Sequence, residues 1–343
     1  MQPNHLILKI AFICAIFGPL ASHASEITTK MTGDNSVDIL IDGELFTTYH
    51  FVDDDTNKPY LWPIIGPTGK PMTRAFPMKN VEGERQDHAH HRSFWFGHQD
   101  VNGFDTWHEP LSIVKGDRSK EIPADHPKML TSGTTSHKKL QEIAHNGDSV
   151  TITTANDYTN PDGDRLLADE RALTFHVDEN TGNRVIDVDI TLIGVETEGD
   201  PSTLGDAKDA GFSLRVAHPM CVDAKQGGRI INSNGDTGKD AWGKRAEWCN
   251  FNGPVEEDGE TMGVAILNHP SSFRHPTPWH VRTYGLQTAN AFGLKSLETS
   301  DEDGTVILKP GESITLRHRV IFHKGDEKEA NIPAAYKTYA AQP

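Results

Sequence analysis

Apolar and polar residues alternate with a period of two along most of this chain. In "RVIDVDITLIG" (Arg184–Gly194), Ile186, Val188, Ile190 and Leu192 fall on one face, and Val185, Asp187, Asp189 and Thr191 on the other. Successive side chains of a strand point to opposite faces, so this is the pattern of an antiparallel strand with one face in a core. "VDILI" (Val37–Ile41) and "ELFTTYHF" (Glu44–Phe51) flank Asp42-Gly43, a dipeptide suited to the left-handed dihedrals of a tight hairpin. "SVTITTAN", "RALTFHV", "FSLRVA", "MGVAILN", "HVRTYGLQTAN", "TVILKP" and "SITLRHRVIF" continue the pattern, most of them bounded by Gly, Asn, Asp or Pro. Helical periodicity is confined to "AAYKTYAA" near the C-terminus and a turn around Asp206–Ala210. The pattern predicts an all-β chain: a large antiparallel β-sandwich with few short helices. No linker divides residues 25–343, which read as one β-sandwich domain.

The first residues break the pattern. Lys9 precedes an apolar run from Ile10 to Leu20, and Ser22 and Ala24 are small residues placed as in a cleavage site. The run falls short of the about 20 apolar residues that span a bilayer. Residues 1–24 therefore read as a secretory signal peptide, which implies a secreted or periplasmic protein. No later segment is long and apolar enough for stable membrane insertion. The net charge of −16 repels nucleic acid and anionic membranes, so neither is an expected partner. Two cysteines follow the leader, Cys221 and Cys249. In an oxidising compartment they can pair, in a bridge worth about 3 kcal/mol in the chain-entropy model. Two buried free thiols are the equal alternative.

Candidate chemistry concentrates in segments far apart along the chain. "RQDHAHHRSFWFGHQDVNGFDTWHEP" (Arg85–Pro110) holds five histidines and four carboxylates. In an extended chain His88 and His90 share a side, a spacing that binds a divalent metal if a third ligand converges. The same imidazoles, which titrate near neutral pH, also suit general acid–base work. Any one of them alone reads as an ordinary hydrogen-bonded histidine; the cluster with Arg92 and Trp95 is what points to a site. His98, Asp100 and Asn102, then Asp105, Trp107 and Glu109, alternate around an Asn-Gly turn. Polar groups and an indole on one face suit sugar hydroxyls and flat C–H faces. "DTGKDAWGKRAEWCNFNG" (Asp236–Gly253) sets Trp242 beside Lys244 and Arg245, a combination suited to an anionic sugar or an oxyanion, while Trp248 reads as structural. "NHPSSFRHPTPWHVRTYGLQTANAFG" (Asn268–Gly293) has three prolines that rigidify a loop ahead of a strand carrying His280 and Arg282 on one face.

"DHAHHRSFWFGHQDVNGFDTW", "DAKDAGFSLRVA", "WGKRAEWCNFNG" and "HPSSFRHPTPWHVRTYGLQTANAFG" together resemble the PmoA-like family of secreted bacterial proteins, in the same order through most of residues 25–343. The chain departs from that family's pattern at Ala89, Gln99 and Asp209. The label methane oxygenase that accompanies the family implies repeated membrane spans, and the apolar pattern here offers none. The resemblance implies a setting in carbohydrate breakdown, and the strand-rich layout is similar to the galactose-mutarotase-like supersandwich.

The sequence is thus read as a secreted or periplasmic carbohydrate-active enzyme, a glycoside hydrolase or lyase. The expected catalytic residues are His90, His91, Arg92, His280 and Arg282. His88, His98, Asp100, Asn102, Trp107, Trp242, Lys244 and Arg245 are expected to bind substrate. The alternatives are a non-catalytic carbohydrate-binding protein, and a His-site metalloprotein (an oxidoreductase included) with His88 and His90 on one divalent metal.

Overall fold

The structure, a computed structural model, describes residues 25–109, 112, 127–257 and 259–343. The predicted leader lies outside them. Two eight-stranded sheets dominate. The first runs in the order β1 (Ile27–Thr32), β2 (Ser36–Ile41), β3 (Glu44–His50), β4 (Tyr60–Ile64), β5 (Phe94–His98), β12 (Ala210–Arg215), β17 (Leu286–Ala289), β16 (Trp279–Val281). The second runs β13 (Arg229–Asn232), β14 (Trp248–Pro254), β15 (Thr261–Asn268), β19 (Ser313–Lys324), β9 (Asn183–Ile193), β8 (Arg165–Asp178), β7 (Ser149–Thr159), β6 (Thr134–Asn146). A small sheet of β10 (Glu196–Thr197), β11 (Asp200–Leu204) and β18 (Val306–Leu308) stands beside them. Neighbouring strands of both large sheets pair antiparallel, as the alternation predicts.

The core lies between the large sheets. Ile186, Val188, Ile190 and Leu192 of β9 point inward, as read from the sequence, to meet Phe94, Phe96, Phe212 and Leu214 of the first sheet. Phe46 of β3 meets Phe175 of β8 edge-on at 6.1 Å and Phe322 of β19 at 6.2 Å, a favoured aromatic geometry. The two outer faces are treated differently. Helix α1 (Ile332–Ala340) covers that of the second sheet, with Ile332, Tyr336 and Tyr339 against Trp248, Leu267 and Ile321. Trp248 is structural, as expected. On the first sheet the outer face is roofed by loops, around Tyr60, Trp95, Trp107 and Leu286.

Two features differ from the sequence reading, and one open alternative is decided. "HVRTYGLQTAN" is not one strand: Gly285 N–H returns to Arg282 O, and the segment folds into the β16–β17 hairpin. Gly285, at φ +103, lets the turn lie against the Cys221 sulfur. β6 was not anticipated, because an edge strand with Lys138, Lys139, Gln141 and Glu142 shows little apolar alternation. The cysteines are free and buried; Cys221 Sγ donates to Tyr284 O at 3.0 Å, and burial lifts its thiol to about 11.

Candidate functional site

The register of the first sheet sets out the site floor. Tyr60, Trp95, Ser213, Thr288 and His280 are cross-strand partners in one row over five strands. Each lies one residue from core-facing neighbours, as Trp95 does between Phe94 and Phe96, so they all face away from the core. The next row contains the pair Gly97 and Gly211. A Cβ on Gly97 would stand 3.2 Å from Trp107 Cα and 3.1 Å from Thr106 O, so the glycine lets this segment lie flat on the sheet. Trp107 is fully buried there, edge-on to Trp95 at 5.5 Å and to His91 at 6.0 Å.

A buried ion cluster pins the same loop. Glu109 is bound by Lys58 at 3.0 Å and by Arg92 through Nε and Nη2 at 3.0 and 2.9 Å, and also accepts from Thr56. Lys58 Nζ also donates to Trp107 O at 2.8 Å. Arg92 was an expected catalytic residue; its guanidinium is spent on Glu109 and the Asp55 carbonyl, and it is 3% exposed.

Above the floor the histidines form a stack. His91 lies parallel to Trp95 at 5.2 Å, His88 parallel to His91 at 4.8 Å, and Tyr284 parallel to His88 at 5.0 Å. His90 stands edge-on to His91 at 4.5 Å and beside His108 at 4.4 Å. Arg215 Nη1 can only donate, so His91 Nδ1, 2.9 Å away, accepts and the ring carries its proton on Nε2. Burial, then His108 and Lys58, hold His90 well below the ordinary histidine value; burial, then His90 and Arg215, do the same for His91. Both are neutral rings enclosed in the stack. The His88 side chain, by contrast, is 40% exposed.

Asp87 organises this exposed end. Its carboxylate receives Arg74 Nη1 at 2.7 Å, Arg215 Nη2 at 2.8 Å and Arg85 Nε at 3.0 Å, with His88 Nδ1 at 3.2 Å. Burial alone would raise its pKa; the His88 hydrogen bond and the Arg215 and Arg74 charges outweigh it and keep the group ionised. His88 sits at φ 45, a left-handed conformation costly for a non-glycine residue, and the turn is closed by His91 N–H to His88 O. Tyr284 is raised by burial, against the opposing Arg215 and Arg282 charges, so its phenol stays protonated at neutral pH. The Arg215 guanidinium lies 4.6 Å from the centre of its ring.

The later segments supply the adjoining wall. His280 Nδ1 lies 2.7 Å from Lys208 O, and Arg282 Nε donates to His280 Nε2 at 3.2 Å, which fixes His280 as the neutral Nδ1–H tautomer. Burial, against the charge of Asp209, brings His280 down to about 4. The Arg282 guanidinium lies over Trp242 at 3.8 Å, and Trp242 meets His280 edge-on at 4.8 Å. Trp242 also lines a shallow groove of 750 Å³ with Lys244 and Arg245. Arg245 Nη1 is occupied by the carbonyls of Arg274 and Pro276. His269 and His275, from the same proline-rich loop, face the other way and hold Gln342 O and the Tyr336 hydroxyl beside α1.

The structure therefore divides the predicted residues. His88, His90, His91 and Trp107 meet in the stack, and His280, Arg282 and Trp242 meet beside it. His98, Asp100 and Asn102 do not join them. His98 is fully buried against Phe292, with Nδ1 accepting from Asp100 N–H; Asp100 caps Gly103, and Asn102 ties the Asn-Gly turn to Pro201 and Thr203. Among the described residues no three His, Cys, Asp or Glu side chains form a metal-holding group. The rings of His88 and His90, the pair expected to share a metal, stand edge-on with centres 5.7 Å apart. Sequence reasoning missed Asp87, Arg215 and Tyr284. A lone arginine in the apolar "FSLRVA" strand was the available signal for Arg215.

A β-sandwich whose chemistry sits on one loop-roofed outer sheet face is the class of protein these features define. The chain belongs to a family of unknown function, DUF6807, whose model matches residues 36–337. No curated protein matches it. Among solved structures it is similar to a galactose 1-epimerase from Lactobacillus acidophilus NCFM, at 9% identity over 88% of this chain and 99% of that one, TM-score 0.37. It is similar to a galactose mutarotase-like protein from Lactobacillus casei ATCC 334, at 11% identity over 87% and 100%, TM-score 0.32. It is also similar to a GH36 alpha-galactosidase, AgaA, from Geobacillus stearothermophilus, at 12% identity over 88% and 41%, TM-score 0.33. At these scores the likenesses assign no residue roles.

Proposed function

We propose that this protein is a carbohydrate-active enzyme, a glycoside hydrolase or lyase, working on the outer face of the first sheet. The observation that carries this reading is the pairing of exposed His88 with a protonated Tyr284, 5.0 Å apart between ring centres, beside a tryptophan-backed arginine. With Asp87 on Nδ1, His88 presents Nε2 to substrate as a base. Tyr284 keeps a proton to give to a leaving oxygen. Trp242 offers a flat apolar face to a sugar ring. The leader pattern of residues 1–24 supports export to the periplasm or beyond.

The test is a glycan screen with detection of new reducing ends and of unsaturated products. Turnover that His88→Ala and Tyr284→Phe each reduce by about 100-fold or more is the expected result. Saturable binding with no turnover by the wild type would make the protein a binding module. Binding of no glycan would overturn the reading.

A further inference from the structure

Resting on that reading, we infer that Arg282 is a specificity-determining residue, and that the sugar bound here carries a carboxylate, as in a uronic acid. Arg282 is unusual among the arginines around the site. Arg74 and Arg215 are paired with Asp87, and Arg92 with Glu109. Arg282 has no carboxylate within 4.0 Å among the described residues, and its protein hydrogen bond runs from Nε alone, to His280. Asp209, on the far side of His280, is paired with Lys208.

The group is nevertheless held in place. Lys208 O fixes the His280 tautomer, the His280 Nε2 lone pair takes the Arg282 Nε–H, and Trp242 supports the guanidinium plane at 3.8 Å. Such a chain orients the two terminal nitrogens and leaves them partnerless at a partly exposed position. A guanidinium fork matches a planar carboxylate in two parallel hydrogen bonds. Because it is already oriented, little rotamer entropy is lost on binding. Tyr284, two residues on, places this fork next to the proposed reaction centre.

The experiment measures binding of the full chain to a panel of uronate oligosaccharides as free acids, as their methyl esters, and to sulfated neutral oligosaccharides of similar length. Free acids should bind about 10- to 100-fold tighter than their esters, the range for a charge-assisted hydrogen-bonded pair. R282Q should erase that ratio, and R282K should keep only part of it. W242L, which leaves the charge in place but removes its support, should reduce the ratio and serves if R282Q does not fold. Equal affinity of acid and ester, a ratio that survives R282Q, or a preference for sulfate would each overturn the inference. Neutral oligosaccharides bound and cleaved as well as acidic ones would overturn it while leaving the enzyme reading intact. Failure to bind any glycan would overturn both.

Discussion

Lowering the pH from 7 to 5 should unfold this protein readily, and the buried histidines set the size of the effect. His98 and His318 are fully buried and held at about 3, and His280 at about 4, each chiefly by burial. An unfolded histidine titrates near 6.5. These folded values are depressed, so the stabilising contribution is complete above about pH 6.5 and is lost as the pH falls toward the folded values. Each withheld proton costs about 1.4 kcal/mol per pH unit, or about 2 kcal/mol at pH 5. The three together approach about 6 kcal/mol, comparable to the whole stability of many domains. His90 and His91 add to the same side. The carboxylates held low, Asp87 among them, contribute only below this window. Urea titrations at pH 5, 6 and 7 give the slope directly. His318→Gln should shrink the fall between pH 7 and 5 by about 2 kcal/mol; its ring lies on β19 of the second sheet, stacked 5.3 Å from the core residue Phe212. A stability unchanged between pH 7 and 5 would refute the reasoning, because these rings would then be taking protons in the folded state.

Other substitutions probe the supports of the site. Lys58→Met leaves Glu109 buried against one cation instead of two and should cost about 3–5 kcal/mol in denaturant midpoint analysis. Gly211→Ala should destabilise by more than about 2 kcal/mol, since φ is +115 and the added Cβ would collide with Ala289 O; a neutral result would show that the Gly97–Gly211 row is not as close-packed as described. Both thiols should resist a thiol reagent in native protein and titrate only after denaturation, because both are buried and burial raises their pKa values. Denatured protein that yields no free thiol would establish a disulfide.

Strand alternation was legible because one face of each central strand packs on a core. Ile186, Val188, Ile190 and Leu192 turned inward as their spacing required. Polar edge strand β6 was not, since exposure removes the apolar half of the signal. The site was half legible. Clustering of His88, His90 and His91 pointed to the right segment, but spacing gives no depth, and the two most enclosed of the three were assigned the proton transfer. Arg92 and Arg282 look alike as letters. Only their surroundings, Glu109 for one and Trp242 for the other, separate a structural cation from an available one. Asp87 and Tyr284 gain their importance from Arg215, more than 60 residues from either, and no local pattern encodes such a meeting.

All five residues of β5, Phe94-Trp95-Phe96-Gly97-His98, are buried. The strand is enclosed on the core side by its phenylalanines and on the site side by Trp95 and Gly97, so it has almost no position at which sequence can drift neutrally. Diversification of such a protein is channelled into exposed positions around the site, such as Arg85, Lys208 and Lys244. Relatives with different ligands are expected to share the β5 strand almost letter for letter and to differ at such positions.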